Sequence, residues 1–231
     1  MRSDLNWDHI NTIVNKKLYE GSSSKLQKIV HLNLSKFGNV YAKKTLNPKQ
    51  LRILEIGAGK GEHYDFVDHE YSEYLMTDIS DWGRKEISQI SLKNKKVRFE
   101  IQDVESLTYE DNYFNRVIVT CVLNHVDEPF AAIAEIHRVL QNRGVASVFI
   151  SAEPGILLRL IRKIFVQSKM KDLGVSYNLM NAISHRNSAQ TIIEISKEIF
   201  KSDIMSITYY PFHIPSWNLS THLVLNVVKN S

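Results

Sequence analysis

The stretch Leu51-Arg-Ile-Leu-Glu-Ile-Gly-Ala-Gly-Lys-Gly61 decides how the rest of the chain reads. A short apolar run passes straight into Gly57-x-Gly59-x-Gly61. Glycines in that pattern serve a chain that turns sharply while a ligand lies against its backbone. A phosphate-cradling P-loop is excluded, because Lys60 is followed by Gly61 and Glu62 rather than by Ser or Thr. A dinucleotide fingerprint would need its third glycine at position 62, where Glu62 stands. A bare turn between strand and helix would not need three glycines in five positions. Glu55, at the strand end, suits a ligand with a positive amine better than one carrying phosphates.

Outward from this loop the chain alternates. Short apolar runs at 51–56, 74–77, 97–101, 117–120 and 145–150 read as buried strands. Helical patterns at 61–67, 82–92 and 129–140 lie between them, the last with Phe130, Ile133, Ile136, Val139 and Leu140 on one face. Strands alternating with helices predict a parallel sheet with right-handed crossovers. Before the sheet, Leu26, Ile29, Val30, Leu34, Phe37, Val40 and Tyr41 recur at helical spacing behind a Ser22–Ser24 cap, and the helix ends before Pro48. After it, 156–166 and 189–200 read as helices of an insert. Two strands at 204–210 and 221–228 follow with no helix between them, so this pair is expected to be antiparallel. The expected class is therefore α/β, with one domain over 1–231. It divides into N-terminal helices at 1–48, a binding core at 50–150, an insert at 151–203 and closing strands at 204–231.

Two acids follow the loop at the right distances. Asp78 closes the second predicted strand about 20 residues on, where a carboxylate can accept both ribose hydroxyls. Alone it is weak evidence, since Asp is also a common turn or cap residue. Asp103 follows the third strand, placed to accept from the exocyclic amine of adenine, with Val104 offering a backbone N–H and an apolar face. Together these positions describe a nucleoside with a cationic, amino-acid-like tail.

These residues resemble the class I S-adenosylmethionine-dependent methyltransferases. Residues 55–61 look like the first motif of that family, Thr77-Asp-Ile-Ser80 like its ribose-binding segment, and Gln102-Asp-Val-Glu105 like its adenine-binding segment. The stretch 114–129, with Thr120, Cys121 and Leu123-Asn-His-Val126, looks like its fourth-strand motif. Asn115 stands where the family usually has Asp. The resemblance implies a Rossmann-like seven-stranded, mostly parallel sheet with its last strand antiparallel, plus an N-terminal helical lid and a helical insert after strand five. It implies S-adenosylmethionine as cofactor, held by Glu55, Gly57, Ala58, Gly59, Gly61, Asp78, Ile79, Asp103, Val104, Thr120 and Cys121. A narrower similarity, carried by Pro154-Gly155 and His185-Arg186-Asn187, points to methyltransferases of bacterial surface-polysaccharide (capsule or lipopolysaccharide) biosynthesis and so to O-methylation.

On the acceptor side His125 is either a general base or a strand-end residue packing against the donor. His185 is either an acceptor contact or a cap. Both are carried forward as catalytic candidates. Arg159, Arg162 and Lys163 share one side of the insert helix, as a solvated face or as a wall for a phosphorylated or nucleotide-linked acceptor. Arg186 and His213 complete the acceptor set, although His213, among Pro211, Phe212 and Pro215, reads more readily as structural packing. Trp7, Tyr19 and Tyr41 are candidate lid aromatics.

Composition sets the outer limits. With 231 residues, 43% hydrophobic, the chain can bury one sizeable core. Its 29 Lys and Arg against 25 Asp and Glu give a net charge of +4, a mild excess most suggestive on the insert and pointing to a small anionic acceptor more than to nucleic acid. One cysteine, Cys121, excludes an intrachain disulfide and a Cys-based zinc site, and the histidines show no ligand spacing, so no metal is expected. The polar start and the lack of an 18-residue apolar run lead to the expectation of a cytoplasmic chain without a membrane span. The expected partner is a small anionic or sugar-like acceptor, with residues 209–217 suited to a homodimer face or to a pocket wall. A donor-binding protein without turnover and an RNA methyltransferase are the competing functions.

Overall fold

The computed structural model describes residues 25–165 and 177–231. The apolar runs become β1 (Arg52–Ile56), β2 (Glu73–Asp78), β3 (Val97–Ile101), β4 (Phe114–Val119) and β5 (Leu140–Ser151), followed by β6 (Ile204–Pro211) and β7 (Ser220–Val228). They form one sheet in the order β3-β2-β1-β4-β5-β7-β6. β1 to β5 pair in parallel, while β7 runs antiparallel to both β5 and β6. This is the expected Rossmann-like α/β sheet. Strand order reverses between β1 and β4, and the crevice at their carboxyl ends is where such sheets take ligands.

The helices are α1 (Lys25–Thr45), α2 (Arg84–Lys93), α3 (Pro129–Val139), α4 (Ile156–Phe165), α5 (Tyr177–Ser184) and α6 (Ala189–Ile199). α3 buries Ile133, Ile136 and Val139 as its spacing predicts, but Phe130, in the first turn, faces solvent. The helix expected over 61–67 is reduced to a 3₁₀ turn at Tyr64–Phe66, because Gly61 sits at φ +84°, outside the helical region. α5 has no counterpart among the expected elements.

α1 departs most from its apolar periodicity. Its buried face is Leu34, Ser35, Gly38, Asn39 and Ala42, while Ile29, Phe37 and Val40 are exposed. The reason is Arg116, which projects from β4 into the layer between sheet and α1 and is fully buried. Its Nη1 donates to Asn39 Oδ1 at 2.6 Å and to His69 Nε2, and Nη2 donates to the Ser35 carbonyl at 3.4 Å. A Cβ at position 38 would stand 2.9 Å from Nη2, so only glycine lets the helix pass so close. A buried guanidinium must be hydrogen-bonded, and that requirement sets the register of α1 over its apolar stripe.

α1 thus covers the sheet. Tyr41, considered for a lid, donates to the Arg143 carbonyl at 3.0 Å, near the amino end of β5 and away from the crevice. Trp7 and Tyr19, and with them the insert's further lysines Lys169 and Lys171, lie outside the described residues.

Candidate functional site

β1 delivers the glycine loop to the crevice. Gly57, Gly59 and Gly61 all have positive φ, at +75°, +57° and +84°. The Gly57 and Ala58 N–H groups both donate to the Thr77 carbonyl, at 2.8 and 2.9 Å, which seats the loop on the end of β2. Asp78 Oδ2 accepts the Gly59 N–H at 3.1 Å, and its Oδ1 accepts the Ser80 N–H at 3.2 Å. The acid predicted to grip a ribose therefore also holds the loop in shape. From the other side Thr120 donates its hydroxyl to the Ile56 carbonyl at 3.1 Å and to the Gly57 carbonyl. Cys121 follows at φ +51° with its side chain exposed.

Two further residues close in on the loop. A Cβ at Gly83 would lie 1.7 Å from the Gly59 carbonyl oxygen, so the start of α2 presses directly on the loop backbone. The Trp82 ring lies 3.4 Å from where a Cβ on Gly59 would be, and it is 48% exposed. In the sequence Trp82 reads only as a helix start. Its signal was its position, four residues past Asp78. Ile79 is 73% exposed at the same edge, an apolar side chain left open beside the loop. Asp103 Oδ1 accepts the Glu105 N–H at 2.9 Å, while the Val104 side chain is buried in the core.

Glu55 is placed differently from the other donor candidates. It is buried beneath the loop, where its Oε2 accepts the Tyr74 hydroxyl at 2.5 Å and its Oε1 has no protein partner. Burial pushes its carboxyl up to about 8, against the opposing pull of the Tyr74 hydrogen bond and of Arg116. Arg116 is pulled down to about 10 by the same burial. Tyr74, Arg116 and Glu55 share one face of the sheet, a polar seam that no local pattern signals.

The residues expected on the acceptor side lie on the segment after β4 and in the insert. Val122 packs against Gly57, so this segment touches the donor loop. Asn124 is buried, accepting the Ser151 N–H at 3.0 Å and donating to the Asn187 carbonyl at 2.9 Å. Asn187 in return donates to the Leu123 and Val126 carbonyls at 3.0 and 2.8 Å. The 185–187 triplet thus clamps the loop that carries His125. The rings of His125 and His185 lie 4.4 Å apart between centroids. His125 Nδ1 sits 2.8 Å from the Ser184 carbonyl, which assigns its proton to Nδ1 and leaves Nε2 an acceptor. His185 Nδ1 is 3.1 Å from Glu153 Oε2. Burial, with His125 and Arg162 adding to it, takes His185 down to about 3, and burial also lowers His125. Both rings are neutral at pH 7.

The expected acceptor residues are only partly brought together. Arg162 turns inward, pairing with Glu153 and donating to Asn181 Oδ1 at 3.0 Å. Asn181 donates back to Glu153 at 2.6 Å. Arg159 lies on the exposed face of α4, and Arg186 pairs with Asp127 near the surface. His213 is exposed at φ +59°, edge-on to Tyr210. Among the described residues no cluster of His, Cys, Asp or Glu can hold a metal, and no helix is long and apolar enough to cross a membrane.

The residues fit S-adenosylmethionine. The loop presents bare backbone to the crevice, Ile79 offers an uncovered apolar shelf, and Glu55 keeps one buried acceptor without a partner. The fold is that of the Rossmann-like methyltransferases, and residues 54–148 match the family model described as a methyltransferase domain. Among solved structures, the CurJ carbon methyltransferase aligns with a TM-score of 0.66 and 17% identity, over 98% of this chain and 60% of that one. The magnesium protoporphyrin IX methyltransferase of Synechocystis, with bound S-adenosylhomocysteine, aligns at 0.63 and 16%, over 96% and 97%. Among curated relatives, demethylmenaquinone methyltransferase of Bacteroides fragilis is 27% identical over 107 residues, 44% of this chain and 42% of that protein. Squalestatin hexaketide synthase of a Phoma species is 24% identical over 123 residues, 48% of this chain and 5% of that protein. The match therefore spans less than half of either relative.

Proposed function

We propose that the protein is an S-adenosylmethionine-dependent methyltransferase that methylates a hydroxyl of a small, polar, sugar-like acceptor in the cytoplasm, in the assembly of a bacterial surface glycan. The observation that carries the chemistry is the ring contact of His125 and His185, with His125 on the segment that also touches the glycine loop. When bound, the donor supplies an electrophilic methyl on its sulfonium. The glycine loop, Asp78, Ile79 and Trp82 would hold its nucleoside, and its ammonium would displace the proton of Glu55 so that the free Oε1 receives it as a carboxylate. His125 Nε2, with Nδ1 committed to Ser184, takes the acceptor's hydroxyl proton, a contribution of about 10²–10⁴-fold. His185 and the Asn124–Asn187 clamp keep that ring in place. Alignment of the acceptor supplies the larger share, about 7–11 kcal/mol. Because Glu153 already neutralises Arg162, the inner site favours an uncharged hydroxyl over a phosphate.

Calorimetry with S-adenosylmethionine tests this, on the parent chain and on Asp78→Ala. We expect binding by the parent and at least tenfold loss in the variant. A parent chain that does not bind the donor defeats the proposal. Donor binding with no methyl transfer to any polyol or sugar nucleotide would leave a donor-binding protein without turnover.

A further inference from the structure

We propose that the exposed face of α4, together with the adjoining 3₁₀ turn at Trp217–Leu219, docks on the surface of an anionic lipid bilayer. Ile156, Leu160 and Ile164 recur every fourth residue along α4, and they are 60%, 52% and 63% exposed. Arg159 and Lys163, also exposed, recur at the same interval, and no carboxylate pairs with either among the described residues. At 100° per residue, the two rows lie side by side on a single face. The opposite face is already used: Leu158 is buried in the core, and Arg162 is turned in to Glu153.

A helix that spends its buried face on the fold has no internal use for three more large apolar side chains. Water is a poor solvent for them, and another copy of the same face would bring Arg159 and Lys163 against their own kind. A bilayer with anionic headgroups satisfies both rows at once. The apolar side chains enter the acyl boundary and the cations stay at phosphate level. The patch continues beyond α4. Gly155 leads into the helix against the Trp217 carbonyl, and Leu219, in the same turn, is 46% exposed. The face lies at the carboxyl edge of the sheet, since α4 follows the end of β5. This inference does not rest on the methyl-transfer reading, because the surface would bind lipid whatever the site does.

The test is sedimentation of the full chain with vesicles of phosphatidylcholine alone and of phosphatidylcholine with phosphatidylglycerol, at low and high salt. We expect binding to the anionic vesicles, weakened by salt and much weaker on phosphatidylcholine. Arg159→Ala with Lys163→Ala should cost about fivefold per cation. Leu160→Glu with Ile164→Glu should cost at least tenfold more, and both pairs sit at exposed positions. Thermal melting and light scattering accompany each variant. Absence of binding to anionic vesicles overturns the proposal, as does binding that neither folded double variant weakens. A dimer that dissociates in Leu160→Glu/Ile164→Glu, without vesicle binding by the parent, would instead make this face a self-association surface.

Discussion

Replacing Glu55 by Gln probes the buried polar seam most directly. Burial raises the Glu55 carboxyl from 4.5 in the unfolded chain to about 8 in the folded one. A raised folded value means that the native state holds a proton the unfolded chain has released. The stability this represents is fully present below pH 4.5 and is lost as pH rises through 8. The span corresponds to about 5 kcal/mol at most. Gln has the shape of the protonated acid, accepts the Tyr74 hydroxyl and carries no titration. Below pH 5 the parent and the Glu55→Gln variant should therefore be close in stability. Between pH 5 and 8 the variant should gain on the parent by roughly 1 kcal/mol per pH unit, levelling off above 8. Urea unfolding at half-unit intervals of pH measures the difference. A gap that does not change with pH would show that Glu55 is ionised in the native protein, paired through space with Arg116, and the proton assignment would be wrong.

Other perturbations give simpler signals. Gly83→Ala places a Cβ against the Gly59 carbonyl, so donor affinity by calorimetry should fall more than tenfold, with about 1–3 kcal/mol lost in unfolding experiments. Asn187→Ala strands two backbone carbonyls and should cost about 2 kcal/mol, while donor affinity stays within threefold of the parent. Burial lowers His31, His69 and His222 from 6.5 to about 4, so the unfolded chain takes up protons first as pH falls. The stability these rings represent is present above pH 6.5 and drains toward pH 4, with buried His222 alone worth about 3 kcal/mol. Melting temperatures should fall over that window despite the opposing contribution of Glu55, and a flat profile would mean these rings are charged in the fold.

The sheet and the glycine loop were legible because their signals are local: apolar runs of strand length, glycines at alternate positions, acids at the next two strand ends. What the sequence did not show is held by pairs far apart along the chain. Arg116 sits in Phe-Asn-Arg-Val like any residue on an exposed strand face, and nothing near it announces Asn39, His69 and Gly38 as its partners. The apolar period of α1 therefore pointed to the wrong face. Glu153 and Asn181 were overlooked for the same reason, since their meaning comes from Arg162 and His185. Arg162 looked like one cation in a row until its carboxylate was found. The His125–His185 contact joins two residues that the sequence flagged separately, and only the fold makes them one feature.

The position of β7 has a consequence for how the chain is made. This strand, the seventh along the sequence, lies inside the sheet, bonded to β5 on one side and β6 on the other. During synthesis from the amino end, the donor-binding half of the sheet leaves the ribosome well before that strand exists. Until residues 220–228 emerge, the outer edge of β5 displays a row of unsatisfied amides and carbonyls, and such an edge recruits strands from other chains. A nascent chain paused within 152–219 would carry a nearly finished nucleoside pocket beside an adhesive border. Its yield should then depend on how quickly translation completes the β6–β7 hairpin, or on a chaperone that covers β5 meanwhile.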